Sequence, residues 1–118
     1  MKVIITGGGG FLGSQLATKI LDKGTLTGPS GEQEPIENMV LIDARFSVPQ
    51  SDDRVQEITG DISDRDVIDS TIGGSTNVSI FHLASMVSGE CEERYDDALR
   101  VNLDGGRNVF EAARAAAG

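Results

Sequence analysis

The stretch MKVIITGGGGFLGSQLATKIL, residues 1–21, determines the fold of this chain. Its β-branched run KVIIT, residues 2–6, stops at four consecutive glycines and predicts a strand buried on both faces of a parallel sheet. A helix is predicted over 11–23, with Gly24 at its C-cap. The apolar residues that predict this helix recur every three to five positions and are Phe11, Leu12, Leu16, Ile20 and Leu21.

The rest of the chain contains three more predicted strands. They lie in MVLID at 39–43, RVQEITGD at 54–61 and VSIFHL at 78–83. The polar stretch at 25–38, rich in glycine and proline, predicts an exposed connecting loop before the first of them.

Two further helices are predicted between and after these strands. A capping box formed by Ser63 and Asp66 predicts the start of the first, and Gly73 and Gly74 predict its end. A long helix is predicted from about residue 92 to residue 117. The alternation of strands and helices predicts an α/β fold, in which a parallel sheet carries helices on both faces.

The composition limits the classes of partner. The chain has 118 residues, the length of one domain, and a formal net charge of −9 from 19 acidic and 10 basic residues. This charge argues against nucleic acid and against anionic membrane surfaces. A single cysteine, Cys91, excludes an internal disulfide, and the first apolar run is too short for a signal peptide or a membrane span. We therefore expect a cytoplasmic protein.

The glycine run is typical of a turn that binds phosphate. Glycines between a parallel strand and a helix let backbone N–H groups and the positive end of the helix dipole converge on one point, which suits a pyrophosphate. Gly8, Gly10 and Gly13 match the spacing G-x-G-x-x-G. Gly7, Gly10 and Gly13 match T-G-x-x-G-x-x-G equally well. The lysine that a mononucleotide phosphate loop requires is missing, and an ordinary glycine-rich turn is the remaining alternative.

An acidic residue favours a dinucleotide at this turn. Asp43 ends the second predicted strand thirty residues after Gly13, and the polar loop at 25–38 explains why this spacing exceeds the usual value of about twenty. A carboxylate there accepts hydrogen bonds from both hydroxyls of an adenosine ribose and repels a 2′-phosphate, which favours NAD over NADP. Arg45 leaves this choice open, because it either accommodates a 2′-phosphate or is a solvated loop residue.

Five segments together resemble one protein family, the NAD-dependent epimerase/dehydratase family of extended short-chain dehydrogenases. In chain order they are TGGGGFLG (6–13), LID (41–43), GDI (60–62), FHLAS (81–85) and VNLDGG (101–106). GTLTG together with FHLASMVSGE further resembles the D-erythronate dehydrogenase branch, a group that oxidises sugar acids. The resemblance implies the N-terminal half of a Rossmann-type, doubly wound sheet with four strands in the order 3-2-1-4.

The resemblance also implies roles for matching residues. Those assigned to NAD, from the pyrophosphate through the ribose and adenine to the nicotinamide half, are Gly7, Gly10, Phe11, Leu12, Gly13, Asp43, Ala44, Arg45, Asp61, Ile62, Leu83, Ala84, Ser85 and Asn102. Phe11 and Leu12 contribute only their main chain, and Asn102 ties the long helix to the sheet. Ser88 is assigned to the substrate, and no residue is assigned to a metal.

Several of these positions also have simpler explanations. The alternative for Asp61 is that it is only the turn residue of GDIS that caps the next helix, and the alternative for Asn102 is an exposed surface residue. His82, the single histidine, is expected to be a satisfied core residue rather than a catalytic one. Cys91 is flanked by glutamates that disfavour its thiolate, so we expect it to be unreactive.

The family's chemistry uses a tyrosine placed four residues before a lysine, and this sequence lacks that pair. Tyr95 is followed at that spacing by Leu99, so no catalytic residue is expected. We interpret residues 1–118 as the NAD-binding part of an oxidoreductase, cut before its catalytic segment and substrate domain, which transfers hydride from a sugar-acid secondary alcohol to NAD. A nucleotide-sugar epimerase or dehydratase and a non-catalytic NAD-binding module are alternatives. The fourth strand would be left as an unpaired apolar edge, which favours either a homodimer or aggregation.

Overall fold

The computed structural model describes residues 1–28, 30–46, 50–73, 77–84 and 94–117, with side chains up to Arg114. Ser85, Ser88 and Cys91 lie outside the described residues. In chain order the elements are β1 (Lys2–Thr6), α1 (Phe11–Lys23), β2 (Thr25–Thr27), β3 (Gln33–Pro35), β4 (Asn38–Asp43), β5 (Val55–Thr59), α2 (Arg65–Ile72), β6 (Val78–His82), α3 (Tyr95–Ala98), a π-helical segment (Leu99–Gly105) and α4 (Gly106–Ala117).

Four of the strands form a parallel sheet in the order β5-β4-β1-β6. Lys2 aligns with Asn38 on one side of β1 and with Val78 on the other. If only the strands of this sheet are counted, the order is 3-2-1-4, as predicted. The chain leaves β1 toward one edge of the sheet and later returns to its other side. This reversal creates a crevice at the carboxyl end of β1, where α/β sheets bind their ligands.

The core consists of two apolar layers, one on each face of the sheet. Val3 and Ile5 point to one face and pack in the same cluster as residues of α1, whereas Ile4 points to the other face and packs with residues of α2 and α4. This alternation follows from the two-residue period of a strand. All three side chains are fully buried, which confirms the predicted strand with helices on both faces.

Helix α1 has the predicted bounds but a narrower buried face than its apolar stripe suggests. Its C-cap Gly24 has a φ of 76° and donates a backbone hydrogen bond to Ile20, as predicted. Phe11 and Leu12, however, are 77% and 69% exposed. Burial begins only at Gly13, because the first turn of the helix meets the glycine turn rather than the sheet. Phe11 and Leu12 therefore belong to the helix that they helped to predict, but not to its buried face.

The polar stretch 25–38 is not only a loop, because it contains the antiparallel hairpin β2–β3. Side-chain hydrogen bonds hold this hairpin together. The hydroxyl of Thr25 donates to Gln33 Oε1 at 3.0 Å, and Gln33 Nε2 donates to the hydroxyl of Thr27 at 2.6 Å. Each strand has only three residues, which is too short for an alternating apolar pattern to reveal it.

Helix α2 begins one residue later than the predicted capping box. Its N-cap is Asp64, whose side chain accepts a hydrogen bond of 3.0 Å from the amide of Asp66. Ser63 cannot take this position because its amide and hydroxyl both donate to Asp61. Gly73 ends the helix as predicted, and its amide donates to Asp69.

The last helical run is continuous from α3 to α4, and its middle is π-helical. The sequence analysis predicted a helix here but not the wider π turn. Gly105 lies in this turn against the β5–α2 connection, and a Cβ on it would come within 2.6 Å of Ile62 Cγ2. Among the described parts of the chain, no helix is both long and apolar enough to cross a bilayer.

The two adjacent glycines of this helix are expected to respond oppositely to alanine. A Cβ on Gly106 would lie 3.6 Å from His82 Nε2, an ordinary contact, so Gly106→Ala should stabilise the protein by about 0.5–1 kcal/mol through its helix propensity. Gly105→Ala should instead destabilise it by about 1 kcal/mol or more, because Ile62 must move. Urea unfolding of both variants measures these changes, and equal shifts would contradict the packing described for Gly105.

Candidate functional site

A cleft of about 610 Å³ opens at the carboxyl ends of the parallel strands. Its wall is formed by residues that end or follow β1, β4, β5 and β6, together with residues of the last helical run. The volume is within the range of small-molecule sites. The cleft coincides with the crevice where the strand order reverses.

The glycine turn forms one side of this cleft. Gly7 has a φ of 74°, donates a backbone hydrogen bond of 2.7 Å to Ile42, and would bring a Cβ within 2.9 Å of the Ala84 amide nitrogen. A Cβ on Gly13 would overlap the carbonyl oxygen of Gly7. Both positions therefore require glycine. Since Gly8 is buried against Leu41, the geometry favours the spacing Gly7, Gly10 and Gly13.

Gly10 differs from these glycines because nothing within the chain requires it. It is the N-cap of α1 with extended dihedral angles of −83° and 176°, which any residue adopts. A Cβ on Gly10 would make only an ordinary contact of 3.4 Å with the carbonyl of Gly7. Gly10 lines the cleft, so an added methyl group would occupy space in the cleft. No acidic residue lies in the first turn of α1, which leaves this end of the helix dipole favourable for an anion.

The carboxylate of Asp43 is held by backbone amides at the bottom of the cleft. Gly9 donates to its Oδ2 at 3.0 Å, and Ala44 donates to its Oδ1 at 2.7 Å. An ionised carboxylate offers about two acceptor positions on each oxygen. Each oxygen of Asp43 therefore keeps one position for a ligand, and the pair is fixed in orientation. This arrangement suits two adjacent hydroxyl groups.

Asp61, on the β5–α2 connection, is bonded from two sides. Its Oδ1 accepts from the amide and the hydroxyl of Ser63 at 2.9 and 2.7 Å, and its Oδ2 pairs with Arg100 Nη1 at 2.8 Å. The hydrogen bonds from Ser63, followed by the charge of Arg100, lower the pKa of the Asp61 carboxyl. Asp61 is thus both a turn residue, as one explanation proposed, and a residue of the cleft wall.

His82 is part of the sheet rather than of the cleft lining. Its Nδ1 shares a hydrogen bond of 2.6 Å with the hydroxyl of Thr6, and that hydroxyl also accepts from the amide of Ala84 at 3.2 Å. Burial lowers the pKa of the imidazole. His82 therefore joins the ends of β1 and β6 with a satisfied hydrogen bond, as expected from the sequence, but it is half-buried rather than part of the core.

The structure brings most of the predicted NAD-binding residues together. Those that line the cleft are Gly7, Gly10, Asp43, Ala44, Arg45, Asp61, Ile62, Leu83 and Ala84. The cleft lining does not include Phe11, Leu12, Gly13 or Asn102. Gly13 packs against the Gly7 carbonyl and so supports the turn, and Asn102 is exposed. Ser85 and Ser88 fall outside the described part of the chain.

Sequence reasoning missed one side of the cleft and the anchor of the last helix. Arg94, Asp97 and Arg100 line the cleft, although the sequence analysis assigned no role to any of them. Spacings of three residues predict ion pairs within the helix, but they do not reveal the contact with Asp61. Asn108 Nδ2 donates to the carbonyls of Ile62 and Ser63 at 3.2 and 3.0 Å, and no local pattern indicates this contact.

The described side chains contain no cluster of three or more histidine, cysteine, aspartate or glutamate residues that would hold a metal ion.

The sequence of this chain is similar to those of known proteins. The sequence profile of the 3-beta hydroxysteroid dehydrogenase/isomerase family matches residues 4–117. D-erythronate dehydrogenase of Cupriavidus necator is 43% identical over 114 residues, which are 97% of this chain and 35% of that protein. The chain therefore spans about a third of the length of this relative. These matches confirm the predicted resemblance to extended short-chain dehydrogenases.

Two solved structures have the same arrangement. A nucleoside-diphosphate-sugar epimerase from Agrobacterium tumefaciens is similar over 95% of this chain and 32% of its own, with a TM-score of 0.72 and 31% identity. MoeE5, solved in complex with UDP-glucuronic acid and NAD, is similar over 98% of this chain and 33% of its own, with a TM-score of 0.72 and 27% identity. Both support the predicted Rossmann-type fold.

The burial of His82 predicts a pH dependence of stability. Because its folded-state pKa lies below the ordinary value of 6.5, the unfolded chain binds a proton more readily as the pH falls. The free energy of unfolding should therefore decrease from pH 7 toward pH 5.5, and His82→Asn should remove the part of this decrease that His82 causes. Urea unfolding of both proteins across this pH range measures the decrease. Since the chain has one histidine, its imidazole NMR titration is unambiguous, and a pKa at or above 6.5 would contradict the burial.

Proposed function

This chain belongs to the 3-beta hydroxysteroid dehydrogenase/isomerase family, and we propose that its cleft binds NAD. The pyrophosphate lies at the glycine turn, the adenosine ribose at Asp43, and the adenine at Asp61 and Ile62. The single observation that carries the proposal is the carboxylate of Asp43, which two backbone amides fix with one acceptor position left on each oxygen. The NAD complex of MoeE5, a structure with 27% identity to this chain, supports it.

The glycine turn supplies the anion site that this pose requires. Gly10 leaves the approach to the first amides of α1 open, and the helix dipole favours negative charge there. Phe11, Leu12 and Gly13 contribute main-chain groups to this site, so their exclusion from the side-chain lining does not conflict with it. Leu83, Ala84 and Ser85 follow β6 and are proposed to lie toward the nicotinamide half.

We propose that residues 1–118 are the dinucleotide-binding domain of an oxidoreductase that transfers hydride from a sugar-acid secondary alcohol to NAD, in the cytoplasm. D-erythronate dehydrogenase of Cupriavidus necator, at 43% identity, favours this substrate class. Apart from Ser88, the groups that bind the substrate and the group that transfers the proton then belong to the two thirds of such proteins that this chain does not match. When bound, NAD would accept the hydride, while Asp43 and the glycine turn would hold the dinucleotide in a fixed orientation.

A nucleotide-sugar epimerase or dehydratase is the second candidate. The nucleoside-diphosphate-sugar epimerase from Agrobacterium tumefaciens, at 31% identity, favours it. Both candidates bind NAD through the same residues, so the binding experiments below test the cofactor site for either. Turnover of a sugar acid against a nucleotide sugar, measured on the protein that contains this chain, separates the two reactions.

Replacing Asp43 should weaken the binding of NAD and reduce the preference for NAD over NADP. Asp43→Asn removes one charge-assisted acceptor of the ribose, so NAD affinity should fall about 10- to 100-fold. It also removes the charge that repels a 2′-phosphate, so NADP affinity should hold or rise, particularly beside Arg45. Calorimetric titration with each dinucleotide measures both. Asp53→Asn, an exposed change of equal charge, is the control, and an equal loss in both variants would refute the ribose site.

Replacing Gly10 should separate binding from stability. Gly10→Ala should leave the midpoint of urea unfolding nearly unchanged, because the backbone and the surrounding space accept a methyl group. The same variant should bind NAD about tenfold or more weakly, because the methyl group occupies the cleft. Gly13→Ala should instead destabilise the fold, because its Cβ overlaps the Gly7 carbonyl. If Gly10→Ala binds NAD as tightly as the unaltered chain, the pyrophosphate does not lie at this turn.

A further inference from the structure

At the end of the cleft where we propose that adenine binds, one arginine bridges two acidic residues. Arg100 donates from Nη1 to Asp61 Oδ2 at 2.8 Å and from Nη2 to Asp97 Oδ1 at 3.2 Å. It thereby links the last helical run to the β5–α2 connection across the cleft. It belongs to the π-helical segment, a rare geometry that is frequent at functional sites.

Stability does not account for this bridge. The side chains of Arg100 and Asp61 are 49% and 43% exposed, and ion pairs this exposed contribute little to folding. The helix is already held to the same connection by Asn108, through the carbonyls of Ile62 and Ser63. The position of Arg100 in the cleft wall suggests instead a role toward the ligand.

The bridge determines what Asp61 can still bind. Of about four acceptor positions on its ionised carboxylate, two are taken by Ser63 and one by Arg100. One position remains, on Oδ2. Because the partners hold the carboxylate from both ends, it cannot rotate to meet a ligand of different shape. The site is therefore specific for a single donor at a fixed place.

We propose that Arg100 is a positioning residue that makes the cleft specific for a base with an exocyclic amine. Arg100 holds Asp61 so that its last acceptor position meets the amine at position 6 of adenine. Hypoxanthine has a carbonyl oxygen at that position and presents its donor one ring atom away, at N1. With Asp61 fixed, that donor is out of reach and the carbonyl is repelled. This inference rests on the proposed binding of NAD.

The test compares NAD with nicotinamide hypoxanthine dinucleotide, in which only that amine is replaced. Calorimetric titration of the full chain should show NAD bound about tenfold more tightly than the hypoxanthine analogue. Arg100→Gln should weaken NAD binding about tenfold and reduce the preference for NAD over the analogue to about twofold or less, because Ser63 would then hold only Oδ1 and leave Oδ2 unfixed. Arg100→Lys, which keeps the charge but not the two-pronged geometry, should restore part of the preference.

The matched control is Arg65→Gln. Arg65 forms an ion pair of 2.8 Å with Asp69 on α2, its side chain is 46% exposed, and it does not line the cleft. This variant should bind both dinucleotides like the unaltered chain. Urea unfolding of all variants verifies that each is folded. If Arg100→Gln is not folded, Arg100→Lys tests the proposal in its place.

The outcomes separate this inference from the proposed function. If the unaltered chain binds neither dinucleotide, the proposed function fails, and this inference fails with it. If it binds NAD but Arg100→Gln keeps the same affinity and the same preference for NAD over the analogue, only the inference is overturned. Tighter binding of NAD by Arg100→Gln also overturns it, because Arg100 would then compete with the base for Asp61.

Discussion

The reversal of the backbone between β1 and α1 is the constraint on which the rest of the structure depends. It is completed within Gly7–Gly10, with Gly7 at a φ of 74° and the carbonyl of Gly7 in contact with Gly13. A Cβ on Gly13 would push α1 away from this turn, and a Cβ on Gly7 would collide with the backbone of Leu83 and Ala84 after β6. The same turn directs the amide of Gly9 to Asp43, so the segment that starts the helix also orients the carboxylate that we propose binds the ribose.

The two-residue period of the strands explains why the functional groups meet at one edge. Alternate residues of β1 and β4 are buried on opposite faces, which leaves both faces covered by helices and only the strand ends open. In a parallel sheet all carboxyl ends lie at the same edge. Asp43 and Asp61 are separated by eighteen residues in the chain, yet both border the same cleft because Asp43 ends β4 and Asp61 follows the end of β5.

Local patterns predicted the elements whose cause is local. The β-branched run of β1 and the C-cap at Gly24 were predictable because burial and turn chemistry are visible in a few residues, whereas the strand order was predicted from the family resemblance. Contacts between distant segments were not. Asp64 replaces Ser63 as the cap because Ser63 is bonded to Asp61, and the π turn depends on how Gly105 fits against Ile62. Arg100 was missed in the same way, since its partner Asp61 lies thirty-nine positions away.

The charges of the cleft explain how an acidic chain can bind an anion without a lysine at the site. Three arginines and three aspartates line the cleft, and Arg94 and Arg100 are engaged by Asp97 and Asp61. Their formal charges cancel. In the proposed mode of NAD binding, an anionic pyrophosphate then depends on backbone amides and the dipole of α1, which carry no net charge and need no counter-ion. The same proposal leaves the carboxylates to recognise hydroxyl and amine donors. The backbone would then bind charge, and the side chains would select the nucleoside.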